Sequence, residues 1–206
     1  YNQETEELKT KKFSGYLVNG FDNQNEETLY GFKYSENPCG IVELTPSAAN
    51  KRGQANISIP VLDEFNNFVA VNYPYVYTAQ VNNSLNITRE NIENNNQQTT
   101  EIEVEMDEVE GLAVDPENEN LYVFGVETQD WNYSIYRFKT DSLNKYEQKF
   151  EIDRLEMVAN PKNLKFTSGG LFLYGDNDIS ELNLTEAGSI ETVEKDKTIN
   201  FDTKLI

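Results

Sequence analysis

Glu110 is the residue of this chain best suited to holding a hard cation. It directly precedes Gly111 at the start of a short apolar run, and the equivalent positions of similar segments elsewhere are occupied by Ser14, Asn67 and Lys162. Calcium takes six to eight oxygen ligands, so Glu110 and Asn67 are candidate calcium ligands, whereas a lysine at the same level would repel the ion. The alternative interpretation is that Glu110 lines a water-filled channel or satisfies hydrogen-bonding groups of a turn.

A second candidate site surrounds the only tryptophan. Trp131 lies near Asp130 and Tyr133 in a segment, residues 125–134, that is longer than its counterpart towards the C-terminus and is interpreted as an inserted loop. Loops carry much of the binding function of proteins, and Trp and Tyr are enriched among the residues that dominate binding energy. Asp130, Trp131 and Tyr133 are therefore predicted to contact a partner. Packing of the tryptophan over a sheet edge is the alternative.

Composition excludes several kinds of catalytic chemistry. The chain has no histidine, which removes His-dependent triads, the common zinc sites and an imidazole general base. Cys39 is the only cysteine, so no internal disulfide can form, and we expect a half-buried thiol at a strand end. Residues 176–178, Asp-Asn-Asp, lack the glycine and distal glutamate of a calcium loop and are predicted to form a turn. The sequence contains neither a glycine-rich phosphate cradle nor a Gly-x-Ser-x-Gly motif.

The formal net charge of −19 restricts the partners. Nucleic acid and anionic lipid both require a basic surface, so neither is expected as a partner. Membrane insertion is not expected either, because no apolar run is long enough to cross a bilayer. A charged, soluble surface accounts for the acidity, and attraction of cations or basic partners is the alternative. Sequons of the N-x-S/T type suit an extracytoplasmic location, whether secreted, cell-surface or periplasmic; they begin at Asn56, Asn82, Asn86, Asn132 and Asn183.

A repeat of about 47 residues positions these candidates. Its marker is an aromatic-rich apolar run at residues 29–32, 75–77, 121–123 and 171–174. An apolar run precedes each marker, at residues 15–19, 68–72, 111–115 and 163–167, and a third run follows it, at residues 40–44, 84–87, 134–138 and 178–184. A more polar fourth run closes each unit at residues 55–59, 101–106, 148–152 and 198–201. Short runs that are rich in aromatic or β-branched residues predict strands.

Four antiparallel strands per unit at this spacing predict an all-β fold, a β-propeller, with a β-sandwich as the alternative. The chain is expected to be a single propeller domain or propeller segment, 1–206, with units at residues 14–60, 67–106, 110–153 and 162–201. Residues 7–13 resemble an additional outer strand, and most propellers have more than four blades, so a larger ring is favoured. The polar segments 21–27 and 90–100 are predicted to be a turn and a solvated loop.

The stretch Glu110-Gly111-Leu112-Ala113-Val114-Asp115-Pro116, followed by Asn120-Leu121-Tyr122-Val123, resembles a blade hairpin of the calcium-dependent propellers, such as the esterase-like phytases and the gluconolactonase-like enzymes. It is also similar to non-catalytic propeller repeats of surface and periplasmic proteins. In the metal-dependent members, an acidic residue just before a glycine at the start of the innermost strand binds the ion. The resemblance therefore implies this role for Glu110.

The leading functional hypothesis is a non-enzymatic binding or scaffold module that presents loops to a protein or glycan partner. It rests on the missing catalytic residues and on the loop surface that a propeller supplies. The first alternative is a calcium-dependent hydrolase of the phytase or lactonase type, in which Glu110 and carboxylates of neighbouring blades hold the ion that activates water. The second is a structural segment of a large assembly, with further blades or chains completing the ring.

Overall fold

The computed structural model describes residues 21–25, 28–33, 39–45, 49–55, 69–115, 117–152, 163–167, 170–175, 179–184 and 190–193. Within these residues the chain forms four antiparallel sheets, each made of four consecutive strands. The first sheet contains β1 (Phe21–Asn25), β2 (Thr28–Lys33), β3 (Cys39–Leu44) and β4 (Ala49–Ala55). The second contains β5 (Val69–Asn72), β6 (Tyr75–Val81), β7 (Leu85–Asn91) and β8 (Asn96–Ile102). The third contains β9 (Glu108–Asp115), β10 (Asn120–Glu127), β11 (Asn132–Lys139) and β12 (Gln148–Ile152). The fourth contains β13 (Asn163–Thr167), β14 (Gly170–Tyr174), β15 (Ile179–Leu184) and β16 (Ile190–Val193).

The four sheets are the blades of a β-propeller. In every blade the order of the strands in the sheet is their order in the chain. The first strands of the blades lie beside one another, because β9 contacts β5 and β13, and β1 contacts the same two strands. The first strands therefore surround a common centre, and the fourth strands form the periphery. This confirms the predicted propeller over the alternative sandwich, whereas the larger ring stays a prediction. Among the described residues, no helix has the length and apolar character needed to span a membrane.

The strands at the centre of the third blade are apolar on both faces because they pack between two other blades. Successive side chains of a strand point to opposite faces of its sheet. Leu121 and Val123 pack with Tyr77 of the second blade, and Phe124 packs with Leu173 of the fourth. Full burial of one such side chain stabilises the fold by roughly 1.5–3 kcal/mol. This two-sided packing explains the nearly continuous apolar sequence of β10.

Asp115 closes the turn between β9 and β10. Its carboxylate is buried and accepts hydrogen bonds from the backbone N–H groups of Glu117 at 3.0 Å and Asn118 at 3.1 Å. It also accepts one from the side-chain amide of Asn118 at 2.7 Å. The ammonium group of Lys139 donates to the Asn118 carbonyl at 2.9 Å. Asp115 thus stabilises the turn by accepting hydrogen bonds from its backbone N–H groups.

A β-bulge interrupts the pairing of β9 with β10. Phe124 pairs with Gly111 and Gly125 pairs with Val109, which leaves Glu110 as the extra residue of β9. The bulge brings the β9 backbone and the Met106 side chain so close to Gly125 that an added Cβ would overlap the Glu108 carbonyl oxygen and the Met106 sulfur. Glycine is therefore required at position 125 because any side chain would collide with backbone.

The first blade differs from its prediction. Residues 21–25, expected within a polar turn, form β1 and pair antiparallel with β2, with Phe21 opposite Gly31. The predicted inner strand at residues 15–19 and the predicted outer strand at residues 7–13 lie outside the described residues. The sequence was misleading because a strand is held by backbone hydrogen bonds, which the polar sequence FDNQN can form as well as an apolar one. Cys39 is the first residue of β3, the strand-end position that was predicted.

The outer strands were predicted correctly in the third blade but not in the others. Residues 148–152 are β12, as expected, but β4 begins at Ala49 and β8 begins at Asn96, earlier than predicted. Most of segment 90–100, predicted to be a loop, belongs to β7 and β8. The fourth blade has β16 at Ile190–Val193, and the predicted strand at 198–201 lies outside the described residues. Outer strands are hard to predict because an edge strand needs no apolar face; β8 is exposed from Asn96 to Thr99.

We expect the Gly125→Ala substitution to destabilise the protein. The new Cβ would overlap the Glu108 carbonyl oxygen, and overpacking of this kind costs roughly 1–3 kcal/mol or more. Urea denaturation measures the effect. The matched control is Gly53→Ala, also at a β-bulge, where the nearest atom to the new Cβ is Ile92 Cβ at 3.5 Å, an ordinary contact. Equal stability of the two variants would contradict this account of Gly125.

Candidate functional site

A cavity of about 670 Å³ opens at the outer edge of the third blade. We name it the third-blade groove. It is lined by Glu127, Asp130, Trp131 and Tyr133 from the β10–β11 hairpin, by Lys149 and Glu151 of β12, and by Glu105 from the connection before β9, among others. The structure thus brings together the three residues predicted to bind a partner, and it adds four charged residues to them.

The hairpin that carries Trp131 is a paired extension of the blade. Pairing of β10 with β11 continues to Glu127 and Asn132, and only residues 128–131 form the turn. The prediction that segment 125–134 is an inserted loop is therefore wrong. Its extra length lies in the strands, since β10 and β11 have eight residues each and β14 has five. A hydrogen-bonded hairpin holds its turn residues more firmly than an unpaired loop would.

Trp131 has a backbone conformation that is unfavourable for its residue type. Its φ angle is 55°, in the left-handed region, where the Cβ of a bulky side chain is crowded by its own backbone. The side chain is 52% exposed. Strained residues of this kind cluster at functional sites, where the surrounding structure maintains them. Here the paired hairpin supplies that structure, and the indole remains accessible beside the groove.

Tyr133 and Asp130 take different places in the site. The Tyr133 ring is buried and stacks on Phe124, with ring centroids 5.6 Å apart and an angle of 12° between the planes. Tyr133 therefore forms part of the buried base of the groove and does not project into solvent. Asp130 is exposed on the turn directly beside Trp131. Of the three predicted binding residues, Trp131 and Asp130 are thus the two accessible ones.

Lys149 is held between two carboxylates on one side of the groove. Its ammonium group lies 2.8 Å from Glu105 Oε2 and 3.2 Å from Glu151 Oε1, and 6.0 Å from the centroid of the Tyr136 ring. Burial alone would lower the pKa of Lys149, but the hydrogen bonds that its ammonium group donates to Glu105 and Glu151 raise the pKa above its usual value. The hydrogen bond and the charge of Lys149 lower the pKa of Glu105 in turn. At neutral pH Lys149 and Glu105 are therefore both charged.

Asp107 braces the wall of the groove against the Trp131 hairpin. Its carboxylate accepts hydrogen bonds from both the backbone N–H and the hydroxyl of Thr128, each at 2.8 Å. Its own N–H donates to the Val126 carbonyl at 2.9 Å. Two residues earlier, the N–H of Glu105 donates to the Tyr136 hydroxyl at 3.2 Å. These bonds fix the connection that carries Glu105 relative to the turn that carries Trp131.

Of the two candidate calcium ligands, the structure describes Glu110 but not Asn67. Glu110 lies on the innermost strand β9, as predicted, where it is the extra residue of the bulge. It is half-buried, and burial, followed by repulsion from Glu108, raises its pKa. Asn67 lies outside the described residues, as do Ser14, Lys162 and the Asp-Asn-Asp segment 176–178. Within the described part of the chain, no group of three or more Asp, Glu or Cys side chains is close enough to hold a metal ion.

Sequence reasoning missed Glu105, Glu127, Lys149 and Glu151. A signal for two of them was present, because Lys149 and Glu151 are two residues apart in β12 and must share one face of an edge strand. No local pattern could place Glu105 beside them. It is 44 residues from Lys149 in the chain, and the two meet only because the connection after the second blade runs past the outer edge of the third.

The chain resembles known structures only at the level of fold. No protein-family model matches it, and no curated protein matches it. Hydrazine synthase of Kuenenia stuttgartiensis is similar over 94% of this chain and 53% of its own, with 14% identity and a TM-score of 0.51. A nidogen/laminin complex is similar over 82% of this chain and 58% of its own, with 10% identity and a TM-score of 0.50. The structure of the RRP9 WD40 repeats is similar over 86% of this chain and 52% of its own, with 12% identity and a TM-score of 0.48. The chain spans about half the length of these structures.

We expect ionised Asp107 to stabilise the protein in a pH-dependent way. The hydrogen bonds from the side chain and backbone of Thr128 lower its pKa below the ordinary 3.8. The stabilisation is therefore present above that value and is lost as the pH falls through the lowered folded-state pKa. Asp107→Asn should be less stable than wild type at pH 7 and approach it in acid, as measured by urea denaturation between pH 3 and pH 7. The exposed Asp141→Asn serves as control, and a difference that does not change with pH would contradict the prediction.

We expect Glu110→Gln to be more stable than wild type at pH 7. Burial and Glu108 raise the folded-state pKa of Glu110, so wild type loses stability as the pH rises from the ordinary value of 4.5 through the raised one. The thermal midpoints of the two proteins, measured in EDTA, should converge near pH 4. Glu103→Gln is the control, since it removes the charge of an exposed carboxylate that does not contribute to the raised pKa of Glu110. A Glu110→Gln midpoint below that of wild type at pH 7 would refute the prediction.

The same variants test the prediction that Glu110 binds calcium. If it does, calcium raises the wild-type thermal midpoint by several degrees, EDTA reverses the rise, and Glu110→Gln removes it, because a ligand that binds only the folded state stabilises it. Glu103→Gln should keep the calcium response. A wild-type midpoint that changes with neither calcium nor EDTA would eliminate the calcium-dependent hydrolase.

Proposed function

We propose that the chain is a non-enzymatic propeller module that binds a protein partner through the third-blade groove. The observation that carries this proposal is Trp131, which is half-exposed at the tip of a paired hairpin and held in the left-handed region. A tryptophan that only filled space would be better accommodated in a relaxed backbone and away from water. A strained and accessible indole beside a cavity is the arrangement expected of an interface anchor.

The surroundings of Trp131 support binding more than catalysis. Stacked Tyr133 and Phe124 provide a rigid base, so an incoming group meets a surface that is already ordered and little conformational entropy is lost on binding. The Asp107–Thr128 hydrogen bonds hold the turn from the other side. The charged groups that line the groove include an ammonium already paired with two carboxylates, an arrangement that favours a structural over a proton-transfer role. A glycan partner stays a prediction.

The proposal is tested by exposing the protein to a phage library of random 12-residue peptides and measuring the Kd of synthetic copies of the selected peptides. We expect Trp131→Ala and Trp131→Gly to weaken binding at least tenfold, in line with loss of a central aromatic anchor, and Trp131→Phe to keep part of it. Tyr146→Ala is the control, because Tyr146 is 40% exposed but does not line the groove.

Trp131→Gly separates binding from folding. Glycine adopts a φ of 55° without strain, so this variant should melt at or above the wild-type temperature while losing the peptides. A loss of binding with an undiminished thermal midpoint cannot be attributed to unfolding. Selected peptides that bind Trp131→Gly as tightly as wild type would refute the proposed function.

A further inference from the structure

We infer that the occupant of the third-blade groove is a basic protein segment that places an arginine side chain against Trp131. This inference rests on the proposed function and names the chemistry of the partner. It concerns the part of the groove formed by Glu127, Asp130 and Trp131, which lies at the hairpin end.

The lining of the groove is complementary to a cation. Four acidic residues line it, Glu105, Glu127, Asp130 and Glu151, and Lys149 is the one basic residue among the lining residues of the described chain. The side chains of Glu105 and Glu151 are 77% and 80% exposed. They therefore remain hydrated and attract a partner's cation chiefly through long-range electrostatics. The whole chain adds a net charge of −19. Such a field draws basic partners towards the site and repels acidic ones.

Lys149 shows how the groove binds a cation. Its ammonium group is contacted by two carboxylates and lies near the ring of Tyr136. The hairpin end of the groove presents the same kinds of group, namely the carboxylates of Glu127 and Asp130 and the indole of Trp131. A cation from a partner would therefore meet there the combination of charge and aromatic surface that the protein uses for its own lysine. Trp is also the aromatic side chain that attracts cations most strongly.

Arginine fits this end better than lysine does. A guanidinium group is planar, so it can stack on the exposed indole while its edge donates hydrogen bonds to a carboxylate. An ammonium group is compact and strongly hydrated, and it cannot do both in one position. Trp131 is 52% exposed, so its side chain is accessible to an incoming guanidinium group.

The experiment uses peptides selected from the phage library on the wild-type protein. We expect them to be enriched in arginine. Replacing the critical arginine of a selected peptide by citrulline, which has nearly the same shape but no charge, should weaken binding at least tenfold, and replacement by lysine should weaken it several-fold. Raising the salt concentration from 50 to 300 mM should also weaken binding, because the attraction is screened.

The protein side of the test is the double variant Glu127→Gln/Asp130→Asn, which should lose about tenfold in affinity for the arginine peptides. The matched control is Glu117→Gln/Glu119→Gln, which removes the same charge from the exposed β9–β10 turn. An equal loss in both variants would mean that only net charge matters, and it would overturn the assignment to the groove. Circular dichroism and a cooperative melt establish that each variant is folded.

The outcomes separate this inference from the proposed function. Peptides that need Trp131 but contain no essential basic residue would overturn the inference and leave the proposed function standing. Peptides that contain essential arginine but bind Trp131→Gly normally would overturn both, because the basic segment would then bind elsewhere. Failure to select any peptide dependent on Trp131 would count against the proposed function itself.

Discussion

Every blade of this protein depends on packing against a neighbouring blade. A four-stranded sheet that is apolar on both faces would expose those faces to water if it stood alone. A neighbouring sheet on each side removes both faces from water. The third blade shows this clearly. Its buried side chains divide between a cluster shared with the second blade and a cluster shared with the fourth. Neighbouring residues of one strand, such as Val123 and Phe124, contribute to different clusters and thereby connect three blades.

This constraint determines where polar chemistry can occur. Strand β10 is taken up by packing on both faces, so the charged groups of the third-blade groove come from the hairpin end, the connection between blades and the outer strand. Some of them link blades: Arg89 of the second blade donates to the Thr140 carbonyl of the third at 2.6 Å and lies over the Tyr75 ring. Others, such as Asp130 and Glu151, gather at the edge of the third blade. The third-blade groove therefore lies at the edge of the blade, beside the apolar packing between the blades.

The same constraint explains how much of the fold could be predicted from the sequence. The second strands of all four blades were located correctly, because their aromatic-rich apolar runs stand out at the period of the repeat. Strands β1 and β8 could not be located in this way. Their sequences, FDNQN and NQQTTEI, are polar, and their positions follow from backbone pairing with the neighbouring strand. Propensity and periodicity carry little information about such edge strands.

The candidate site was predictable only in part, and for a related reason. Trp131 stood out because it is the single tryptophan, but neither its left-handed backbone nor the pairing of its hairpin is visible in local sequence. The rest of the groove depends on both blade interfaces. Tyr133 and Ile152 belong to the cluster shared with the fourth blade, and Tyr136, which accepts the hydrogen bond from Glu105, belongs to the cluster shared with the second. A groove built on two interfaces keeps its shape only while both are packed, so its geometry is a property of the ring of blades and cannot be derived from the third blade alone.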